Sequence, residues 1–202
     1  MKQLVIVGAG GHGKVACDIA LKTGYDDILF LDDAPSCSEC CGFPVCGQTD
    51  MLRSLSSDVF IAVGNSHIRE RFFNEAVGCG LTPVTLIHPS AQIGIGITIG
   101  IGTLVAAGAV ISPGTEIGNG CIINTCASVD HDCRIGDFAH VAVSAHLAGG
   151  VTVGNRSFLG IGSSVIEYKN ITGDCIIGAG AVVIRDICES GTYVGVPVRK
   201  IK

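Results

Sequence analysis

The chain has 202 residues, is 48% hydrophobic yet only 5% aromatic, holds 29 glycines and no tryptophan, and carries a formal net charge of −5. A core of this make-up must be filled by Ile, Val, Leu and Ala, which suits thin, regular layers better than an irregular interior. The acidic balance and the lack of a basic run argue against nucleic acid as a partner, and no apolar run approaches the ~18–20 residues that a membrane-spanning helix needs.

Leu4-Val5-Ile6-Val7 reads as a short buried strand, and the stretch that opens the chain is too short for a signal peptide. It runs into Gly8-Ala9-Gly10-Gly11-His12-Gly13, after which an amphipathic helix is predicted over Lys14 to Lys22. A second strand, Ile28 to Leu31, ends in Asp32-Asp33. A third, Val59 to Val63, ends at Gly64-Asn65, and a helix follows through Arg69 to Phe73. The pattern is a Rossmann-like βαβαβ unit over 1–85. Its glycines match G-x-G-x-x-G between strand and helix, with an acid about twenty residues on. Such a turn lets a phosphate approach the free N–H groups of a helix N-terminus. The unit is about half a dinucleotide fold, which fits a nucleotide-linked sugar better than NAD. Gly10, Gly11, His12 and Gly13 would face the phosphates, with Asp32, Asp33 and Asn65 on the base or sugar.

The 11 cysteines are odd in number and scattered, which favours reduced thiols and a cytoplasmic setting. The one cluster, Cys37, Cys40, Cys41 and Cys46, reads as a cysteine-rich loop, because no second CxxC pair completes a zinc site.

From Ile87 the sequence steps by six through Ile93, Ile99, Val105, Ile111, Ile117, Ile123, Val129, Ile135, Val141, Leu147, Val153, Leu159, Val165, Ile171, Ile177 and Val183. Chance would produce such a run with a probability on the order of 10⁻⁹. The residue two before each is usually small (Thr103, Ala109, Cys121, Cys133, Ala145), and a glycine often follows. Six is neither a helical nor a flat-strand period. It fits short strands joined by tight bends, three to a coil, stacked about 4.8 Å apart. The reading is an all-β parallel β-helix over 86–202, with no large inserted loop.

Polar residues intrude most densely between Asn124 and Cys133. With Val129 inward, His131 projects outward, Cys133 turns inward, and Asp130 or Asp132 orients the imidazole. Gly149, one coil of eighteen residues on, lies beside His131, leaving room for a thioester and freeing an N–H for an oxyanion.

With Gly8 to Gly13, Asp32-Asp33, Gly64-Asn65, Asn124-Thr125, His131-Asp132-Cys133, His140-Val141, Ala148-Gly149 and Gly195-Val196-Pro197, the chain resembles hexapeptide-repeat sugar acetyltransferases of bacterial glycan synthesis. That branch N-acetylates the 4-amino group of nucleotide-linked amino sugars, as on the UDP-linked bacillosamine route; relatives O-acetylate sialic acid. The resemblance implies a left-handed coil, where the general crossover preference would give the opposite hand. It also implies a homotrimer with intersubunit sites, acetyl-CoA as co-substrate and no metal. His131 becomes general base and Asp132 its orienting carboxylate. His140, Asn124, Gly149, Ile161, Gly178, Ala179 and Gly180 become acetyl-CoA contacts. The sugar, the nucleotide, the accepting atom and the acyl length stay open. The competing readings are a zinc lyase of the γ-carbonic-anhydrase type, using His131, His140 and His146, and a non-catalytic nucleotide-sugar-binding protein.

Overall fold

The computed structural model describes residues 2–35 and 38–202. The chain forms two compact units, Met1–Pro89 and Ser90–Lys202. The division lies four residues beyond the expected 85/86 because the short strand Leu86–Ile87 packs against the first helix of the N-terminal unit.

The N-terminal unit carries β1 (Gln3–Val7), α1 (Gly11–Lys22), β2 (Asp27–Leu31), β3 (Glu39–Cys40), β4 (Phe43–Gly47), β5 (Asp58–Ile61) and α2 (Ser66–Gly78). Its sheet has the order β3-β4-β2-β1-β5, parallel except for the β3–β4 hairpin. Both faces of β1 are buried, as expected of an apolar run in a parallel sheet. Two details depart from the sequence reading. α1 starts at Gly11, three residues early, so the glycines themselves open the helix. The segment expected as a cysteine-rich loop is the hairpin β3–β4, followed by a 3-10 turn over Thr49–Ser54; Cys41 and Gly42, both at positive φ, make its tight bend.

The second unit is a left-handed parallel β-helix. Its three faces are built from two-residue strands eighteen residues apart. Face one holds Gln92–Ile93, Val110–Ile111, Ser128–Val129, His146–Leu147, Ser164–Val165 and Val182–Val183. Face two runs from Thr98–Ile99 to Asn170–Ile171, and face three includes Leu104–Val105, Ile122–Ile123, His140–Val141, Phe158–Leu159 and Cys175–Ile177. The step-of-six aliphatic residue of every strand from Val105 to Val183 is at most 4% exposed, whereas the outward neighbours Val110 and Ile176 are not. Ile93, on the terminal strand of face one, is 40% exposed because it has a neighbour on one side only.

Two of the small inward residues show how a hydroxyl is paired in this core. Thr115 Oγ1 donates to the Asp130 carbonyl at 2.8 Å and accepts from the Cys133 N–H; Ser157 does the same with Thr172 and Cys175. A buried hydroxyl is tolerable here because both its roles are filled. The bends share one backbone feature that the glycine count only hinted at. From 96 to 180, each sixth residue named in the positive-φ set includes Gly114, Cys126, Asp132, Gly150, Tyr168 and Gly180. Each bend therefore has one left-handed position, where glycine is cheapest but other residues also occur.

Candidate active site

The bend Asp130-His131-Asp132-Cys133 joins face one to face two. Its side chains have distinct fates. Cys133 is 0% exposed, and its thiol donates to the Ala148 carbonyl at 3.2 Å; burial pushes that thiol up, away from a thiolate. His131 stands outside, its side chain 51% exposed, with Nδ1 2.8 Å from Asp132 Oδ2. Asp130 Oδ1 instead accepts from the His131 backbone N–H at 2.8 Å. Of the two flanking acids, Asp132 therefore bears on the ring, while Asp130 fixes the backbone of the bend. The hydrogen bond that Asp132 accepts, helped by the charge of Asp130, raises the imidazole above its ordinary range. An Nδ1–H held by a carboxylate leaves the Nε2 lone pair free to accept a proton.

The left-handed position of Asp132 (φ 58°) swings its carboxylate over Gly114, one coil back, where a Cβ would come within 2.6 Å of Oδ1. The ring of His131 lies over Gly149, one coil on, where a Cβ would come within 2.5 Å of Cε1 and Nε2. Two glycines thus bracket the pair. At the next edge, the equivalent N–H groups are taken by side chains from the coil above: Asn119 N–H by Asp137, and Asp137 N–H by Asn155. Gly149 accepts from the Tyr168 N–H at 2.9 Å, and among the described residues no backbone carbonyl takes its own N–H. A shallow groove of about 550 Å³ leads from this edge across face one, lined by Asp130, Ser128, His146, Ser164 and Glu167.

Asn124 and His140 lie elsewhere. His140 is on face three and Asn124 where that face bends towards face one, 3.1 Å apart between Nδ2 and Nε2. Asn124 Oδ1 accepts from the Thr125 N–H at 2.8 Å. The amide NH₂ therefore points to His140, whose Nε2 accepts and whose proton sits on Nδ1. The His140 ring meets Phe158 edge-on at 5.0 Å. Ile161 and Gly178-Ala179-Gly180 follow along the same edge; Ile161 is 60% exposed. Within one chain, Asn124, Ile161 and the 178–180 bend stand at one end of face one, and His131 with Gly149 at the other.

In the N-terminal unit the glycines divide by job. A Cβ on Gly8 would come within 2.7 Å of the Ala62 carbonyl, and one on Gly13 would strike the Gly8 carbonyl. Gly10 and Gly11 have nothing within 4 Å of that position. The first pair serves the packing of strand against helix; the second leaves open space before the α1 N-terminus, which has no side-chain cap and no acid in its first turn. Asp32 accepts from the Ala9 and Ala34 N–H groups, and Asp33 from Thr49 N–H and Oγ1; the Thr49 bonds hold Asp33 below its ordinary range. Asn65 caps α2 by accepting from the Ile68 N–H at 3.0 Å. These three residues thus already organise the loops around the glycine turn. His12 Nε2 is buried with no hydrogen-bond partner among the described residues. Burial, then the nearby Arg69 cation, push its imidazole down to about 4.

Residues 3–76 match the PglD N-terminal domain family. A GDP-perosamine N-acetyltransferase of Escherichia coli O157:H7 is 30% identical over 183 residues, 87% of this chain and 82% of its own. The chain belongs to the hexapeptide-repeat sugar acetyltransferases. The acetyltransferase domain of PglB from Neisseria gonorrhoeae FA1090 superposes with a TM-score of 0.96 at 39% identity, covering 100% of both chains; it has also been solved in complex with acetyl coenzyme A. PerB from Caulobacter crescentus, solved with CoA and GDP-perosamine, gives 0.95 at 38% identity over 100% of this chain and 98% of its own. The enzyme is an acyltransferase with CoA chemistry.

The three histidines of the zinc alternative lie apart within one chain. His131 is on the bend after face one, His140 on face three, and His146 on face one, its Nδ1 2.8 Å from Ser128 Oγ; among the described residues no three His, Cys, Asp or Glu gather as metal ligands. Of the cysteine cluster, Cys37 lies outside the described residues. Cys40 donates to the Ala9 carbonyl behind the glycine turn, and Cys41 meets Cys17 of α1, whose thiol burial pushes up to about 12. No described helix is long and apolar enough to cross a membrane. One residue the sequence reading passed over is Arg69. It is 1% exposed and donates to the Val63 and Gly64 carbonyls at 2.8 and 2.9 Å, holding the end of β5. Its signal was its place in the buried stripe Arg69, Phe72, Phe73, Ala76 of α2.

Proposed function

We propose that the enzyme transfers the acetyl group of acetyl-CoA to the amino group of a nucleotide-linked amino sugar, with His131 as general base. The observation that carries this reading is the imidazole held by Asp132 on one nitrogen and lying over Gly149 with the other. An ammonium acceptor must lose a proton before it can attack, and an imidazole that Asp132 holds above its ordinary range suits that step. Asp130 and Glu167 line the groove with negative charge, which favours a cationic amine over a neutral hydroxyl. In the reaction, the ammonium first releases one proton to solvent; the neutral amine nitrogen then attacks the thioester carbonyl as Nε2 takes its second proton, and the oxyanion forms beside the Gly149 N–H. Collapse expels the CoA thiolate, which recovers the proton from the imidazolium. Cys133, buried and bonded to Ala148, takes no part.

The open glycine turn at Gly10-Gly11 is the seat of the sugar nucleotide's phosphates. Solved relatives include a GDP-sugar complex, whereas the sequence alone suggested UDP. An assay with GDP-perosamine and with the UDP-4-amino sugar of the bacillosamine route decides between them. His131→Ala is expected to lose about 10²–10⁴-fold in kcat/KM; a near wild-type rate of CoA release would refute the assignment.

The separation of His131 from Asn124 and Ile161 across face one supports a closed ring of three copies, in which one protomer's His131 edge meets its neighbour's Asn124 edge. Mixing refolded His131→Ala and His140→Ala chains tests this, since each hybrid ring would contain one intact composite site. Activity regained on mixing, with a solution mass of three chains, is the expected result. A monomer, or no recovery, would sink the ring.

A further inference from the structure

Tyr168 is a mostly exposed aromatic side chain one coil beyond Gly150, beside the His131–Gly149 step. It occupies the left-handed position of its bend (φ 55°), a place held by Gly114 and Gly150 in coils below, and it is 67% exposed. Its ring leans back over Gly150, so that a Cβ there would meet Cδ1 and Cε1. The His131 ring leans forward from the other side over Gly149. The backbone ties all three coils: Gly150 N–H donates to the His131 carbonyl at 2.8 Å, and Tyr168 N–H to the Gly149 carbonyl at 2.9 Å. Two rings from opposite sides therefore cover one glycine pair, and neither glycine can gain a side chain without displacing a ring.

We infer that Tyr168 is a specificity-determining residue of the acetyl-transfer site, its ring forming the wall on which the C–H face of the acceptor pyranose packs. This rests on His131 being the base. A base within about 2.6–3.2 Å of the acceptor nitrogen brings the sugar carbon bearing that nitrogen to the Gly149–Gly150 step. The surface beside that step is the Tyr168 ring. Sugars have an apolar C–H face and a polar rim, and a flat aromatic side chain is the usual complement to such a face. The orientation of the pyranose on that wall then determines which ring amine reaches Nε2.

The test is steady-state kinetics with GDP-perosamine and acetyl-CoA as probes on Tyr168→Gly, Tyr168→Phe and His131→Ala. Glycine suits a left-handed position, so Tyr168→Gly removes the ring without backbone strain. It should raise the KM for GDP-perosamine about 5- to 10-fold, leave the KM for acetyl-CoA within about twofold, and flatten the preference between GDP-perosamine and the UDP-4-amino sugar. Tyr168→Phe should restore the acceptor KM. An unchanged acceptor KM and preference in Tyr168→Gly, or a rise confined to acetyl-CoA, would overturn the inference while leaving the His131 reading intact. Undiminished activity in His131→Ala would instead overturn the reading on which it stands.

Discussion

The imidazole of His131 occupies the space that a side chain at residue 149 would fill: a Cβ there would lie 2.5 Å from Cε1 and Nε2. Gly149 has an ordinary negative φ, so Gly149→Ala adds a methyl group without backbone strain. The exposed ring can swing into solvent to escape it. Gly149→Ala should therefore keep its unfolding free energy within about 0.5 kcal/mol of wild type yet lose at least about tenfold in kcat. Loss of stability without loss of rate would show that the glycine serves packing alone.

Asp132→Asn keeps the shape of the pair and removes its charge. Asp132 is the main cause of the raised His131 pKa, and the base acts in its neutral form, so activity should rise with pH through that pKa. In Asp132→Asn the acid limb of the kcat/KM profile should move to lower pH, and the plateau should fall roughly tenfold or more. An acid limb that does not move would detach Asp132 from the titration.

Gly114 and Gly162 make a matched pair. Both sit at positive φ, 74° and 64°, but a Cβ on Gly114 meets the Asp132 carboxylate, whereas one on Gly162 meets nothing within 4 Å. Alanine at either should cost about 1–2 kcal/mol of stability through the backbone. Only Gly114→Ala should also shift the pH profile, measured alongside thermal unfolding of both variants.

Cys133→Ala separates a core thiol from a nucleophile. The thiol is 0% exposed, so its loss should cost about 1 kcal/mol and leave kcat within about twofold. An inactive but folded Cys133→Ala would require a covalent route.

His12 gives the N-terminal unit an acid limit. Its folded pKa, about 4 against an ordinary 6.5, means the unfolded chain binds the proton first. The stability it contributes is complete above about pH 6.5 and is lost as pH falls towards 4, at about 1.4 kcal/mol per unit. The protection factors of amides in β1 and β5, taken against the intrinsic exchange rate at each pH, should fall between pH 6.5 and 5, and His12→Asn should flatten that dependence.

The β-helix was legible because its core is one-dimensional: a strict step of six located Val129 and Cys133 inside and His131 outside, and a step of eighteen put Gly149 next to it. The glycine turn was legible for a similar local reason. The β3–β4 hairpin was not, because Glu39–Cys40 is two residues long and Phe43-Pro44-Val45 carries a proline that gives no strand signal. The position of Asp32, Asp33 and Asn65 after strands points to ligand contacts, and their hydrogen bonds to Ala9, Thr49 and Ile68 are visible only in three dimensions. Tyr168 was missed because the bend positions were read for glycine, and a tyrosine at a glycine position looks like an interruption rather than a group aimed back over Gly150.

The eighteen-residue coil also acts as a length gauge. Each coil advances the axis by about 4.8 Å, so the three coils from Ser128–Val129 to Val182–Val183 set a reach of roughly 14 Å from the His131 level to the far end of face one. Excising or adding exactly one coil beyond the Tyr168 bend would keep every inward and outward assignment and change only that reach. A single inserted residue would instead turn each later side chain to the wrong side of the wall.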